Sequence, residues 1–385
     1  MLQFNFFSSI NEIDADLWNG LSGTDYPFLR HEYLSALENS GSATPETGWQ
    51  ACHMVAFDGD QDDRKAIAIL PLYIKRHSYG EYVFDWAWAE AYQRYGLQYY
   101  PKLLSAIPFT PCTGPRLQVD PSLSESDTSR LSQQILAALQ ELAVKHNLSG
   151  WHGLFLPDAN RSRMSATGTT QRLGMQYHWF NHDYHDFDDF LASFSSRKRK
   201  NLRKERQKIE QQAISHQFVK GTQLTDQQLD QFYDFYQITY LKRGRQGYLT
   251  REFFQLLRDT MPEQLMICFA EDHQQPVAGA LCFIGKDTLY GRYWGALAEY
   301  DSLHFETCYY QGIEYCIQEK LHRFDPGAQG EHKVQRGFEP IETWSLHWLA
   351  EPGFREPVEK FCREEEQLLR EDMAYLQERL PFRKE

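Results

Sequence analysis

The segment GAQGEHKVQR combines the side chains that acid–base and charge-stabilising chemistry requires. Glu331 or His332 could accept a proton, and Lys333 could stabilise developing negative charge or a phosphate. The glycines allow a ligand to approach the backbone closely. Two further candidates for binding the reacting molecule are Gln329 and Arg336. An ordinary helix start explains the same residues, because Glu331 suits the first turn of a helix and Lys333 suits solvent.

A second candidate group lies at the start of a helix predicted near Phe305. The sequence HFETCYY places His304, Glu306 and Tyr309 in the first turns of this helix. Because free N–H groups at a helix N-terminus suit a phosphate or a carbonyl oxygen, we predict that His304 and Tyr309 contact a bound donor. Glu306 could act as a general base, and it equally suits a capping role in the first turn.

Polar residues also occur within two aromatic segments. Arg292 and Trp294 lie in YGRYWGA, and Asp85 and Trp86 lie in FDWAWA; both segments are predicted strands. A buried Arg or Asp in such a strand needs a partner, which is either a substrate or another side chain. Arg116, in the Pro-rich stretch PFTPCTGPRL, is a weaker candidate for binding a phosphate or a carboxylate.

A basic run contrasts with the acidic chain, whose formal net charge is −13. Eight of the 40 Lys and Arg lie in the stretch that begins with Arg197 and ends with Lys208. Apolar residues recur there at near-helical intervals, which predicts a helix with a broad cationic face. Arg199 and Arg203 are therefore candidates for contacting tRNA or other RNA, an anionic membrane surface or a nucleotide-bearing donor. A solvated helix that opens a domain explains the pattern as well.

Composition narrows the class of protein. The 385 residues are 42% hydrophobic and 24% charged, which predicts a globular chain long enough for two domains. The seven Cys include no CxxC pair, and neither a signal peptide nor an apolar run of about 20 residues is visible, so we predict a cytoplasmic protein. His178, His182 and His185 meet no firm zinc pattern, and we expect no metal.

Helices and strands alternate along the chain, which predicts an α/β fold with a mixed sheet. Two similar series of elements follow each other. FLRHEYL, AIAILPLYI and EYVFDWAWA in the first half correspond to YLTREFF, PVAGALCFI and TLYGRYWGA in the second. A separation of about 210–220 residues predicts tandem domains rather than a solenoid.

Three segments carry a resemblance to a known family. GAQGEHKVQRGFEP, LPLYIKRHSYGEYVFDWAWAEAY and PFTPCTGPRL resemble a bacterial family of FemAB-like N-acyltransferases, and the resemblance covers residues 28–348. It implies tandem GCN5-related N-acetyltransferase (GNAT) domains with a central ligand cleft. The implied domains are a degenerate one at 1–185 and a catalytic one at 186–350, followed by an acidic amphipathic helix at 351–385.

The resemblance also implies a reaction. An acyl group would move by direct attack from acyl-CoA, such as acetyl-CoA, to an amine, with the CoA thioester as a co-substrate rather than a tightly bound cofactor. The pyrophosphate loop of acetyl-CoA enzymes, Q/R-x-x-G-x-G/A, is absent before Phe305, where the chain reads AEYDSLHFET. Related Fem ligases instead use aminoacyl-tRNA as donor and a peptidoglycan precursor as acceptor. A non-catalytic protein that binds such a ligand is a third alternative.

Overall fold

The computed structural model describes residues 2–59, 64–166, 168–328 and 330–383. The chain divides into two compact units. Unit 1 comprises Met1–Met175 and Glu342–Glu371, and unit 2 comprises Gln176–Ile341 and Asp372–Glu385.

The strands are, in chain order, β1 (Gln3–Phe7), β2 (Trp49–Ala51), β3 (His53–Asp58), β4 (Lys65–Leu70), β5 (Tyr73–Lys75), β6 (Lys102–Ser105), β7 (Gln118–Val119), β8 (Gly150–Gly153), β9 (Thr169–Phe180), β10 (Ile214–Lys220), β11 (Leu265–Asp272), β12 (Gln275–Ile284), β13 (Thr288–Ala296), β14 (Arg323–Asp325) and β15 (Glu339–Leu349). The α-helices are α1 (Ala15–Ser22), α2 (His31–Asn39), α3 (Trp86–Arg94), α4 (Glu125–Lys145), α5 (Asp158–Met164), α6 (Phe187–Ala192), α7 (Ser196–Gln211), α8 (Asp226–Leu241), α9 (Arg251–Thr260), α10 (Leu303–Phe305), α11 (Gln311–Gln318) and α12 (Pro352–Glu378). Short 3₁₀ helices cover Ile10–Glu12, Pro27–Leu29, Gly221–Gln223, Pro262–Gln264 and Glu331–Arg336, and a π-helical turn, Glu306–Tyr310, joins α10 to α11.

Unit 1 contains two sets of paired strands. β1, β3, β4 and β7 form an antiparallel sheet. β2, β5 and β6 are antiparallel neighbours, and β6 then pairs in parallel with β8, where Leu103 lies opposite Trp151. The core of this unit joins those two residues to the apolar side of α4, including Ile135 and Leu139. The amphipathic pattern that predicts α4 thus buries the helix against the strands.

Unit 2 repeats this order of elements. β10, β11, β12 and β13 are antiparallel neighbours, and β13 pairs in parallel with β14, where Leu289 lies opposite Phe324. β14 also pairs with β9 in the antiparallel sense. In both units, antiparallel strands lead through a helix to a strand in parallel pairing. The predicted α/β fold with mixed sheets in a tandem arrangement is confirmed.

One predicted strand is wrong. The segment FDWAWA does not form the counterpart of β13, because it contains the start of α3. Its alternating aromatic residues imitate a strand, but the buried residues Trp88 and Tyr92 are four apart, which is helical spacing, while Phe84 is exposed. Asp85 therefore lies at the N-terminus of a helix and Trp86 on its first turn. The strand that corresponds to β13 in unit 1 is β6.

The two units also differ from the predicted division at residues 185 and 350. After Ile341 the chain returns to unit 1, where Leu346 of β15 pairs with Gly153 of β8. The first half of α12 follows, and Val358 and Cys362 pack with Trp88 of α3. Because β15 and α12 as far as Glu371 belong to unit 1, and Asp372–Glu385 belongs to unit 2, the predicted third segment at 351–385 is not a separate part of the fold.

Candidate functional site

A cavity of about 270 Å³ lies in unit 2 where two parallel strands separate. β13 and β14 pair only as far as Tyr290 and Asp325. Beyond these residues the strands diverge. Gly291 and Arg292 then line one side of the gap, and the turn that begins at Pro326 lines the other.

The cavity wall is aromatic and cationic. Its residues come from α8, β12, β13, the helix start near Leu303 and the turn before Lys333. They are Tyr236, Thr239, Tyr240, Arg243, Ala280, Leu281, Cys282, Gly291, Arg292, Tyr293, Trp294, His304, Cys308, Tyr309, Pro326, Gly327, Ala328 and Lys333. Among the described residues of this wall there are three cationic side chains and no carboxylate. Such a wall favours an electron-rich oxygen or an anionic group.

Arg292 reaches the wall through an irregularity in β13. Leu281 of β12 pairs with Tyr293 and Cys282 pairs with Gly291, so Arg292 is an extra residue between two paired positions. A β-bulge of this kind redirects a side chain and is common beside functional sites. The predicted strand is therefore present, and both Arg292 and Trp294 line the cavity.

Lys333 is the cation at the base of the cavity. It belongs to the 3₁₀ helix Glu331–Arg336, is buried, and donates a hydrogen bond of 2.5 Å from Nζ to the carbonyl oxygen of Gly327. Burial lowers the pKa of Lys333 to about 8, although the neighbouring Asp325 raises it, and the charge of Arg292 lowers it further. At neutral pH this ammonium group is a poorly solvated cation that is able to bind negative charge.

His304 supplies a neutral imidazole on the same wall. Burial lowers the pKa of His304 to about 4, and the charges of Lys333 and Arg336 add to this effect. The ring packs edge-on against Trp294, with ring centroids 5.5 Å apart, and against Tyr309 at 5.3 Å. Because the ring is uncharged at neutral pH, one of its nitrogens can accept a proton.

Tyr309 and Cys308 reach the cavity from the π-helical turn Glu306–Tyr310. Such wide turns interrupt α-helices and are frequent at functional sites. The Tyr309 hydroxyl forms a 2.8 Å hydrogen bond with Nε2 of His332, and burial raises the pKa of Tyr309. The helix predicted near Phe305 is thus present, with a different geometry in its first turns.

Glu306 does not line the cavity. Its carboxylate lies 2.8 Å from Nη2 of Arg206 and accepts a hydrogen bond from Gln311. Burial raises the pKa of Glu306, and the charge of Arg206 opposes that shift. The structure therefore places Glu306 in a buried ion pair and gives no support to its predicted role as general base.

The other predicted site residues of GAQGEHKVQR that the structure describes are either exposed or in contact with other side chains of the protein. Glu331 and His332 are exposed, and Gln329 lies outside the described residues. The guanidinium group of Arg336 lies 3.4 Å from the ring centroid of Phe305 and 2.8 Å from a carboxylate oxygen of Glu205. Arg336 thus anchors this segment. Of the three catalytic residues predicted in it, Glu331, His332 and Lys333, Lys333 lines the cavity.

Two predicted binding residues in unit 1 lie in the interior instead. Arg116 is fully buried and donates hydrogen bonds to the carbonyl oxygens of Cys112 and Gly114 at 2.9 and 3.0 Å, so it organises its own loop. Asp85 forms a buried ion pair with Lys102 and accepts a 2.6 Å hydrogen bond from Tyr99. Both side chains have protein partners, which corrects the interpretation of each as a substrate contact. Trp86 remains partly exposed on α3.

Ion pairs hold three of the eight basic residues of α7, and a fourth is hydrogen-bonded to a glutamine. Arg203 pairs with Asp188 at 2.9 Å, Lys208 with Asp301 at 2.8 Å, and Lys198 is hydrogen-bonded to Gln335. Arg206 makes the contact with Glu306 described above. Within the described ranges, no ion pair is formed by Arg197, Lys198, Arg199, Lys200 or Lys204.

The three histidines are scattered within unit 2. His178 is buried with Nε2 3.6 Å from Asp325, whereas His182 is exposed and lies 3.6 Å from Glu339. In the part of the chain that the structure describes, His, Cys, Asp and Glu form no group of three that could hold a metal ion. Over the same residues, no helix is both long and apolar enough to cross a membrane.

One wall of the cavity was not predicted from the sequence. Tyr236, Thr239 and Tyr240 of α8 form it together with Arg243, which follows the helix, and the thiols of β12 and the π-helical turn adjoin it. A signal for α8 is present in YDFYQITYLKR, because Tyr236 and Tyr240 are four residues apart and therefore share one face of a helix.

Sequence comparison identifies the family. A profile for FemAB-like proteins, described as peptidoglycan biosynthesis/recognition, matches residues 9–384. The chain belongs to the FemAB-like family. Among the curated proteins, none matches the chain significantly.

Solved structures with this fold share few identical residues with the chain. FemX is 13% identical, with a TM-score of 0.52 over 93% of this chain and 99% of its own. The C-terminal domain of a putative lysylphosphatidylglycerol synthetase from Agrobacterium fabrum is 11% identical, with a TM-score of 0.52 over 88% of this chain and 92% of its own. A tandem GNAT protein from the clavulanic acid biosynthesis pathway is 11% identical and covers 91% of this chain and 99% of its own, with a TM-score of 0.48.

Proposed function

We propose that this FemAB-like protein is a transferase that moves an acyl or aminoacyl group to an amine, and that the cavity in unit 2 holds the reacting carbonyl. One observation carries the proposal. A buried cation, Lys333, and a neutral imidazole, His304, share the wall of a cavity at the divergence of β13 and β14. Acyl transfer needs such a pair, because negative charge develops on the carbonyl oxygen while a proton leaves the amine.

The reaction we propose is a direct attack. The amine nitrogen forms a bond to the carbonyl carbon, and Lys333 with Arg292 stabilises the charge on the carbonyl oxygen. His304 accepts the proton of the amine, and the bond to the leaving group breaks as the carbonyl re-forms. The leaving sulfur or oxygen takes up the proton that His304 holds.

The cavity thiols are poor nucleophiles, which supports direct attack. Burial raises the pKa of Cys282 to about 12 and raises the pKa of Cys308 as well. Both sulfur atoms therefore stay protonated at neutral pH, and a thiol attacks a carbonyl far more slowly than a thiolate does. A covalent acyl-cysteine intermediate is not part of the proposal.

Acyl-CoA is the donor we favour, with a free amine as acceptor. A second candidate is aminoacyl-tRNA with a peptidoglycan precursor as acceptor. The observation that favours it is the set of five basic residues of α7 that have no acidic partner in the described residues, since cations at a surface bind RNA phosphates. The membership of a family described by peptidoglycan biosynthesis or recognition agrees with this second reaction.

The experiment that tests this proposal combines binding with turnover. Thermal stability is measured with acetyl-CoA, a long-chain acyl-CoA and charged tRNA, and transfer of a labelled acyl group to an amine mixture and to a peptidoglycan precursor is followed by mass spectrometry. We expect Lys333→Ala to reduce transfer by at least about 100-fold, because it removes a charge that acts in the transition state. Lys220→Ala, an exposed lysine of β10, is the matched control.

Each possible result distinguishes between the two donors, a non-catalytic binding protein and a different active site. Stabilisation by an acyl-CoA with transfer supports the first donor. Stabilisation by charged tRNA that weakens with salt, together with aminoacyl transfer, supports the second. Ligand binding without transfer to any acceptor contradicts the enzyme and supports a binding protein. Unchanged turnover in the Lys333 variant shows that the reaction takes place elsewhere.

A further inference from the structure

Arg243 is a cation of the cavity wall that the proposed reaction does not use. Lys333 and Arg292 line the same cavity and act on the carbonyl oxygen in that reaction. Arg243 follows the C-terminal end of α8 and is exposed, so it lies where the cavity opens to solvent. In the part of the chain that the structure describes, its guanidinium group has neither an ion-pair partner nor a hydrogen-bond acceptor.

The end of a helix explains a cation in general, but it does not explain a cation in the cavity wall. Carbonyl oxygens at a helix C-terminus attract Lys and Arg, and three exposed cations follow α8: Lys242, Arg243 and Arg245. Among these three described residues, only Arg243 lines the cavity. Its direction therefore needs a separate explanation, and the other two share its position on the chain without sharing its contact with the cavity.

Close packing of α8 against β13 fixes the place of Arg243. A Cβ atom at Gly295 of β13 would lie 1.8 Å from the carbonyl oxygen of Phe235, so glycine is needed there for the helix to approach the strand. The hydroxyl of Thr239 then donates a 2.9 Å hydrogen bond to the carbonyl oxygen of Trp294. The wall that carries Arg243 is thus held against the strand that carries the bulge.

A hydroxyl group with an available proton lies close to Arg243. The Tyr236 hydroxyl accepts a 3.1 Å hydrogen bond from the N–H of Leu249 and is hydrogen-bonded to Tyr240. Because Tyr236 is able to donate its own proton to Tyr240, the proton of Tyr240 can point to a ligand. Burial raises the pKa of Tyr240, and the hydrogen bond from Tyr236 and the charges of Arg292 and Arg243 oppose that shift. Tyr240 is therefore a neutral donor beside two guanidinium groups.

The charges of the wall determine which ligand fits. Asp325 accepts a 2.9 Å hydrogen bond from the N–H of Gly327 and acts on Lys333, but it does not line the cavity. A cationic group on the ligand would meet three cations of like charge, and an alkyl group would leave Arg243 without a counter-charge. A carboxylate suits the opening, because a guanidinium group and a phenolic O–H both donate to it in charge-assisted hydrogen bonds.

We propose that the reactant in this cavity carries a carboxylate, and that Arg243 and the Tyr240 hydroxyl bind that carboxylate at the opening of the cavity. The inference rests on the proposed function and names its substrate class. The carboxylate belongs either to the acyl group, as in a dicarboxylic acyl donor, or to the amine, as in an amino acid. Arg243 then determines specificity and takes no part in proton transfer, and reactants with a cationic or alkyl group at this point are discriminated against.

Small amides that resemble the reaction product test the proposal without turnover. N-acetylglycine has its carboxylate on the amine side of the amide, and N-methylsuccinamate has it on the acyl side. N-acetylglycinamide and N-methylsuccinamide are the matched neutral compounds, and the Kd of each for the full chain is measured by ligand-observed NMR. We expect one acid to bind about tenfold or more tightly than its neutral match, because a hydrogen bond to a charged group has that effect. The acid that shows the preference identifies which reactant bears the carboxylate.

Variants of the basic turn assign the preference to one side chain. Arg243→Gln should abolish the preference for the acid and leave the Kd of the neutral compound unchanged, and Arg243→Lys should retain part of the preference. Arg245→Gln is the matched control and should keep all of it. The proposal is overturned if acids and neutral compounds bind equally, or if the preference survives in Arg243→Gln. It is also overturned if Arg243→Gln weakens the binding of CoA but not of the acids, since Arg243 would then hold a donor phosphate.

Transfer assays separate this inference from the proposed function. Transfer of neutral acyl groups to neutral amines as fast as to or from carboxylate-bearing reactants would contradict the carboxylate site alone. Acid-selective binding that Arg243→Gln abolishes, without transfer from any donor, would contradict the reaction and leave the carboxylate site in place.

Discussion

At the scale of single residues, the cavity combines two groups whose burial shifts their protonation in a useful direction. The pKa of Lys333 falls to about 8 and the pKa of His304 to about 4. Burial is the main cause for both, because it disfavours their charged forms. Between these two values Lys333 is a cation and His304 is neutral, which are the states that the proposed reaction needs.

The pH dependence of kcat/KM should therefore form a bell with limbs near these values. Below about pH 4 His304 is protonated and accepts no proton, so the rate rises as the pH passes through 4. Above about pH 8 Lys333 loses its charge, so the rate falls as the pH rises further. The measurement is kcat/KM from about pH 3.5 to about pH 10, since this parameter reports the free enzyme.

Two variants separate the limbs of this profile. Lys333→Arg keeps a cation at every accessible pH and should move the alkaline limb upward, whereas His304→Gln should remove the acidic limb and lower the rate by about 100-fold or more. An alkaline limb that stays in place in Lys333→Arg would show that another group causes it.

At the scale of elements, α7 is attached to the cavity region through its charges. Arg206 bridges the carboxylates of Glu306 in the π-helical turn and Glu314 in α11, at 2.8 and 2.7 Å. Burial lowers the pKa of Arg206, but the two carboxylates outweigh this effect and raise the pKa, so the side chain stays charged. Part of the basic run is therefore structural, and five of its eight cations have no acidic partner among the described residues.

Removing Arg206 should destabilise the fold. Arg206→Met leaves the buried carboxylate of Glu306 without its counter-charge, and we expect the free energy of unfolding to fall by about 2–3 kcal/mol. Urea denaturation followed by circular dichroism measures this loss. Arg197→Met, on the exposed start of the same helix, is the control and should change stability by less than about 0.5 kcal/mol. Equal stability of the two variants would contradict the structural role of Arg206.

The elements with a clear periodicity could be predicted from the sequence, and the site only in part. The near-helical apolar spacing of α7 and the aromatic run of β13 predicted these elements. Within the 3₁₀ helix Glu331–Arg336 only Lys333 lines the cavity, and so short a segment contains too little periodicity to predict this. Similarly, no local pattern distinguishes a buried Asp85 with a lysine partner from one that binds a substrate.

At the scale of the whole chain, unit 1 is built from two distant stretches of sequence. Leu346 and Trp348 of β15 belong to the same core as Trp151 and Ile135. Contacts between stretches so far apart cannot be inferred from one sequence, because they depend on which strand the chain returns to. Since the chain leaves unit 1 and later returns to it, a fragment contains the complete core of unit 1 only if it includes both stretches.

The fragment 1–185 should therefore fail to form a stable unit. It contains β8 with its parallel neighbour β6 but lacks β15, the antiparallel neighbour of β8, and Trp151 would lose Leu346 and Trp348 as neighbours. We expect weak near-UV circular dichroism and no cooperative unfolding. The matched control is a chain of 1–175 joined through a flexible linker to 342–371, which restores the missing strand and should unfold cooperatively. Cooperative unfolding of 1–185 alone would contradict the need for the returning strand.

The π-helical turn Glu306–Tyr310 sets the rotational phase between the cavity and the core. A wide turn holds one residue more than an α-helical turn, and each residue of an α-helix rotates the chain by about 100°. Deleting one residue here would restore regular α-helical geometry. It would also rotate His304 relative to α11, so that His304 would no longer face the cavity. Replacing Cys308 or Tyr309, the residues of the turn that line the cavity, alters the shape of the cavity without changing this phase. Evolution can therefore vary the ligand by substitution at this turn, whereas a change in its length would separate the chemistry from the fold that supports it.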